Sequence, residues 1–174
     1  MPIDSAQDSE QFCRSFNSAA SSAIAVWPEH ALLLRQLLET QLAAFSKQVD
    51  IQGAEVILRL APAIKFATLI NELAVNAAKY GALSVSRGRV SLHWSIDEQS
   101  DPPALLFRWE ETGGSSVGLP RRTGIGRTDI EAMARDLGKT RVDYGPGGLK
   151  CDVQMPLDEV GFYKQRMRQL TESV

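Results

Sequence analysis

Apolar positions recur at three- and four-residue spacing in three stretches before residue 81, and alternate with polar ones over much of the remaining chain. Helices are therefore expected to dominate the first half and strands the second. Asp8 or Ser9 can cap a helix reaching about Val26, with Phe12, Phe16, Ala19 and Ile24 on its apolar side. Pro28 interrupts it. Leu32, Leu33, Leu37, Leu38, Leu42 and Phe45 then predict a second helix from about Glu29 to Ser46. The pair reads as a helical hairpin over residues 1–48, and either core packing or a dimerisation and partner-docking role accounts for it.

From Val49 the chain changes to short β runs, with a turn expected at Gln52-Gly53 and a strand from Glu55 to Leu60. Pro62 sits in the first turn of the next predicted helix, where a missing N–H costs nothing, and Gly81 can end that helix after Tyr80. Phe66, Ile70, Leu73 and Ala77 form its apolar stripe. Val90, Leu92 and Trp94 alternate with Ser91, His93 and Ser95, so Arg89 to Ile96 is expected to be a strand with one buried side. Ala104 to Glu110 completes a hairpin with it. The glycine-rich stretch from Thr112 to Gly126 reads as a long loop, and a helix from Thr128 to Leu137 comes next. Lys139 to Tyr144 and Leu149 to Met155 predict a last hairpin, and an amphipathic helix is expected from Asp158 to about Thr171.

A chain of 174 residues, 44% hydrophobic and 23% charged, has the composition of a globular protein with one generous domain or a domain plus a helical extension. It contains no apolar run long enough to span a bilayer and no secretory start, so a cytoplasmic location is expected. The formal net charge of −2 gives no reason to expect a nucleic-acid partner. Cys13 and Cys151 lack metal-type spacing and are expected to be free thiols, while His30 and His93 begin no catalytic set.

Three features carry chemistry. Glu72, Asn76 and Lys79 fall at i, i+4 and i+7, which puts an acid, an amide oxygen and a base on one helical stripe, facing either solvent or a cleft. Glu111 ends a strand and is followed by Gly113-Gly114. Gly124-Ile125-Gly126 opens the next helix, where backbone N–H groups and the helix N-terminus suit an anion such as a nucleotide tail. Neither a P-loop nor a dinucleotide fingerprint occurs.

In this order the features resemble the N, G1 and G2 boxes of the Bergerat (GHKL) ATP-binding fold. Glu72-Leu73-x-x-Asn76-Ala77-x-Lys79-Tyr80-Gly81-Ala82-Leu83-Ser84, Trp109-x-Glu111, Gly113-Gly114 and Gly148-Leu149 are most similar to HWE-type sensor histidine kinases. The resemblance covers about Val56 to Leu157. It implies an α+β fold: a two-layer α/β sandwich with a mixed sheet over residues 49–174, ending in a helix and preceded by the helical hairpin. That hairpin is similar in placement to the end of the family's dimerisation region, which makes a homodimer through the N-terminal helices one expectation.

The resemblance also implies roles. Asn76 would hold Mg2+ through its amide oxygen, Glu72 would be the polarising base near the γ-phosphate, and Lys79 would neutralise phosphate charge. Tyr80 would cover the nucleotide, and Glu111 would accept a hydrogen bond from the adenine amino group. Gly113, Gly114, Gly124 and Gly126 would let the loop close over ATP, with Arg121, Arg122 or Arg127 either contacting phosphate or simply solvated. Two positions depart from the pattern. Asn71 stands where the family has a histidine and cannot titrate, and no histidine here stands where the family carries its phosphoacceptor. The leading expectation is an ATP-binding catalytic domain that phosphorylates a histidine on another protein and works with a response regulator. The alternatives are a non-catalytic module binding a response regulator, kinase or anti-sigma partner, and an ATP hydrolase of the topoisomerase or mismatch-repair kind.

Overall fold

The computed structural model describes residues 31–114 and 125–163. Within them the elements run β1 (Ala31–Leu33), α1 (Leu34–Gln41), β2 (Val49–Gly53), β3 (Val56–Arg59), α2 (Leu60–Lys79), β4 (Arg89–Asp97) and β5 (Ala104–Thr112). After the undescribed segment come α3 (Ile125–Leu137), β6 (Lys139–Gly145), β7 (Gly148–Pro156), α4 (Leu157–Val160) and β8 (Gly161–Tyr163). Short 3-10 turns at Ala43–Phe45 and Ala82–Ser84 succeed α1 and α2.

The main sheet has the strand order β2-β4-β5-β7-β6, with β2 parallel to β4 and the other pairs antiparallel. It is therefore mixed, as expected, and α2 and α3 cover one face. The period-2 alternation decides which face. Val90, Leu92, Trp94, Phe107, Trp109, Cys151 and Val153 all point to the helices and are buried, while Ser91, His93 and Arg108 face away and are exposed. α2 answers with Ala63, Phe66, Ile70, Leu73 and Ala77, all buried. Phe66 meets Phe107 edge-on, with ring centroids 4.7 Å apart at 86°, and its burial alone contributes about 2–3 kcal/mol. Asp136 of α3 pairs with Lys65 of α2 at 2.8 Å on the exposed side, which contributes about 0–1 kcal/mol.

Three element assignments differ from the periodicity. Among the described residues, the helix expected from Glu29 to Ser46 is α-helical only over α1. Residues 31–33 instead form β1, which pairs antiparallel with β3, with Leu32 opposite Leu58. Leu34, Leu37, Leu38 and Leu42 still bury, in the same core as α2, so the apolar spacing was satisfied by a strand followed by a shorter helix. Gln52-Gly53 belongs to β2 rather than to a turn. The C-terminal helix expected from Asp158 is present as the single turn Leu157–Val160, after which Gly161–Tyr163 pairs with the other edge of β3. A Cβ at Gly161 would overlap the Ile57 carbonyl oxygen, so this pairing needs glycine. The helix predicted before Val26 and the residues after 163 lie outside the described residues.

β2 is an edge strand, and α1 covers its open side with one side chain. Arg35 donates Nη1 to the Ile51 carbonyl at 3.0 Å and Nη2 to the Gly53 carbonyl at 3.4 Å, and its guanidinium lies 5.4 Å from the Trp94 ring centroid. Trp94 in turn donates its indole N–H to the Ala54 carbonyl at 2.6 Å. Edge carbonyls that would invite a further strand are thus already partnered.

Candidate functional site

α2 begins at Leu60 and runs 20 residues without interruption, which carries the Glu72, Asn76 and Lys79 stripe across the sheet. The stripe adjoins the buried one but is not part of it. Glu72 and Asn76 are half-buried, while Lys79 and Tyr80 are exposed at the helix end, Tyr80 to 64%. The Asn76 amide donates Nδ2 to the Glu72 carbonyl oxygen at 2.8 Å. That bond fixes the amide orientation and leaves Oδ1 as its open acceptor among the described residues. That one amide oxygen is the type of ligand a hard cation takes while retaining waters, and among the described residues no group of three or more His, Cys, Asp or Glu side chains stands ready to hold a metal.

At the end of α2 the chain does not leave through a left-handed residue. Gly81 has φ −110 and ψ −150, a conformation open to any residue, so helix termination does not require glycine here. Proximity does. A Cβ on Gly81 would overlap Glu111 Oε2 and come within 2.9 Å of Ala77 Cα. The next residue, Ala82, donates its backbone N–H to Glu111 Oε2 at 2.9 Å.

Glu111 is thus brought directly against the C-terminal end of α2. It lies on β5 two residues after Trp109, on the same buried face, and Trp109 Nε1–H donates to Glu111 Oε1 at 3.3 Å. Only 3% of Glu111 is exposed. Burial raises its carboxyl pKa above the ordinary value, and the N–H donors of Ala82, Trp109 and Leu149 oppose that rise by stabilising the charged form. The hairpin between β6 and β7 closes the third side. Gly148 has φ +130, and a Cβ there would sit 2.5 Å from Glu111 Cβ, so glycine is required on both counts.

The Gly113-Gly114 pair lies at the same place. Gly113 has φ +67, and a Cβ on Gly114 would stand 3.3 Å from the Ala82 backbone nitrogen. The fold therefore unites Gly81, Ala82, Glu111, Gly114 and Gly148, drawn from three separate stretches of chain. Gly126 and Arg127 fall within the first turn of α3, because that helix starts at Ile125 rather than at Thr128. Arg121, Arg122 and Gly124 lie outside the described residues. Ala82, Trp109 and Gly148 join the site although their place in the motifs implied no individual role for them. The Trp109-x-Glu111 spacing was the available signal, since residues two apart in a strand share a face.

Asn71, one residue before Glu72, is half-buried, and its Oδ1 is buried without a hydrogen-bond partner among the described residues. His93 stands exposed on the far face of the sheet, opposite Arg108, away from α2. Cys151 is a free, buried thiol whose pKa is pushed up to about 12 by burial and by the Asp152 charge.

No protein-family model matches the chain. It is 32% identical over 143 residues to a blue-light-activated histidine kinase of Brucella anthropi, across 74% of this chain and 29% of that protein. It is 30% identical over 130 residues to the blue-light-activated histidine kinase of Brucella ovis, across 71% of this chain and 27% of that protein. The chain thus spans less than a third of these relatives' length. Among solved structures, the histidine kinase domain of the Erythrobacter litoralis EL346 blue-light activated histidine kinase superposes with a TM-score of 0.58 at 16% identity, over 91% of this chain and 77% of that one. A longer structure of the EL346 kinase gives 0.60 at 18% identity, over 90% of this chain and 49% of that one. The mixed sheet with helices on one face is the fold of histidine kinase catalytic domains. Within that fold, the sequence likeness is to histidine kinases, the group to which the boxes also bear a resemblance.

Proposed function

We propose that this chain is the ATP-binding catalytic part of a two-component sensor histidine kinase, passing the γ-phosphate of ATP to a histidine that is not evident in its own sequence. The observation that carries the reading is the seating of Glu111 against Ala82. It joins the strand-end acid to the end of the helix bearing Glu72 and Asn76, although the two are far apart in sequence. A buried carboxylate held by N–H donors is an acceptor for an exocyclic amino group, which suits adenine.

In this reading Asn76 Oδ1 is the protein ligand for Mg2+, which would supply charge neutralisation between the phosphates when bound. Glu72, one turn before Asn76, is the polarising base toward the incoming imidazole. Lys79 meets phosphate charge and Tyr80 covers the nucleotide. Gly113 and Gly114 let backbone approach the ligand without a Cβ in the way, Gly124 and Gly126 let the loop close over ATP, and Arg127 contacts phosphate. Phosphoryl transfer rests mainly on positioning and charge neutralisation, so such a domain works only with its acceptor bound. The partners are a phosphoacceptor-bearing protein or response regulator, and a second copy through residues 1–48. Among the described residues no helix is long and apolar enough to cross a membrane.

Calorimetry with Mg-ATP tests the reading. Binding by the wild-type chain that weakens in Asn76→Ala is expected, and no heat of binding in the wild type would overturn it.

Asn71 favours a second reading. A residue that cannot titrate, with its amide oxygen buried and unpartnered among the described residues, supplies none of the charge a histidine could give beside Glu72. A non-catalytic module that keeps the fold and binds a response regulator, kinase or anti-sigma partner accounts for this. Transfer of labelled γ-phosphate to any histidine-bearing protein would exclude it.

A further inference from the structure

We infer that Trp109 is a positioning residue for base recognition: its indole N–H holds Glu111 Oε1 so that the carboxylate keeps a fixed orientation as acceptor for an amino-bearing purine. The inference rests on the nucleotide reading above and extends it to a residue that would touch no ligand.

The geometry is specific. Trp109 is fully buried, at 0% exposure, and lies on β5 with Leu92 of β4 on one side and Cys151 of β7 on the other. Its ring position is therefore set by the core and not by the ligand. From that fixed ring, Nε1–H reaches Glu111 Oε1 at 3.3 Å, while Ala82 N–H reaches Oε2 at 2.9 Å. An ionised carboxylate offers about four lone-pair positions, so two fixed donors, one on each oxygen, leave the remaining positions in set directions. An acceptor held in this way pairs with an N–H of the base and is repelled by a carbonyl oxygen at the same place. The selection is thus for a 6-amino purine against a 6-oxo purine.

Glutamate makes such a device necessary. Its side chain has one more rotatable bond than aspartate, and a free rotamer would blur the acceptor direction. Ala82 alone restrains one oxygen and leaves rotation about that contact. Trp109 restrains the other. The walls agree with this: Gly81 and Gly148 have no Cβ where Glu111 packs, so the side chain is confined sterically and hydrogen-bonded at both oxygens.

The test compares ATP with the triphosphate of unsubstituted purine riboside, which lacks the 6-amino group, by calorimetry on the full chain. In Trp109→Phe, which keeps an aromatic ring but loses the N–H, ATP affinity is expected to fall about tenfold, the worth of one hydrogen bond to a charged group. Affinity for the purine analogue is expected to stay the same, so the preference between the two narrows. Equal weakening of both ligands, or an unchanged ratio, would overturn the inference, because loss of packing alone lowers both together. Wild-type chain that binds neither nucleotide would overturn the nucleotide reading and this inference with it. A second measurement needs no substitution at 109: the indole N–H resonance of Trp109 in the wild-type chain is expected to shift on saturation with Mg-ATP and to hold still with the purine analogue. A resonance unmoved by ATP would likewise overturn it.

Discussion

The backbone N–H of Ala82 donates to Glu111 Oε2 at 2.9 Å, so the end of one helix and the end of a distant strand share a buried hydrogen bond. The bond joins the end of α2 to the end of β5, the two stretches whose motifs resemble an N box and a G1 box. Its strength and its burial have consequences for both ligand binding and stability.

Replacing Glu111 by Gln keeps the shape and removes the charge, and it turns an amide N–H toward donors that expect an acceptor. ATP affinity is expected to fall by at least about tenfold. The pH response derives from the raised pKa of Glu111. A carboxyl whose folded pKa lies above its unfolded value, roughly 4.3, stabilises the fold fully below that value and loses the contribution as pH rises through the folded pKa. The stability difference between wild type and Glu111→Gln is therefore expected to shift in favour of Gln as pH rises through that window. Urea melts of both proteins across the window check the sign.

Gly81→Ala places a methyl group against Glu111 Oε2 and Ala77 Cα. Because φ at Gly81 is ordinary, the whole cost is steric, about 1–3 kcal/mol by the usual scale of overpacking. The same substitution is expected to weaken ATP binding by displacing the carboxylate. Denaturant titration and calorimetry on one preparation measure both, and a variant that is destabilised while binding ATP normally would separate Gly81 from the site.

Asn76→Ala removes the open amide oxygen but leaves a residue of better helix propensity, so stability is expected to change by less than about 1 kcal/mol. Its effect should appear in the metal dependence. Mg2+ is expected to enhance ATP binding in the wild type by at least about tenfold more than in the variant, the scale on which metal-site substitutions act. Parallel titrations with and without Mg2+ read this directly.

Arg35→Ala uncovers the Ile51 and Gly53 carbonyls and removes the cation over Trp94. Because Arg35 is half-exposed, with 47% of its side chain accessible, a loss of about 1–2 kcal/mol is expected. The bare β2 edge is also expected to promote self-association. Light scattering during storage, compared with wild type, tests the second effect independently of the first.

Cys151, with its thiol pKa pushed up to about 12, is expected to resist thiol reagents at pH 8 in the folded chain and to react fully in denaturant. A Cys13→Ser background isolates the signal. Rapid modification of the native protein would mean that the β7 position opens on the timescale of the assay.

Periodicity alone settled the elements for which it had a single solution. The Phe66, Ile70, Leu73 and Ala77 stripe could bury only as a helix, and the alternation through Val90, Leu92 and Trp94 could bury only as a strand, so both emerged with nearly the expected limits. The ordered boxes also indicated the family. Where one apolar pattern fitted two structures, tertiary pairing chose. Leu32 and Leu33 satisfied a helical spacing, yet β3 had an open edge to pair with them, and Gly161–Tyr163 took the other edge in place of a longer helix. The site shows the same division. Spacing along α2 placed Glu72 and Asn76 together because i and i+4 share a helical face. That Glu111 is locked by Ala82 and Trp109, and that Gly81 and Gly148 are glycines because Glu111 occupies the space of their Cβ atoms, emerged only in the folded protein. These contacts join residues from separate elements, and no local rule of spacing or propensity encodes a distance between them.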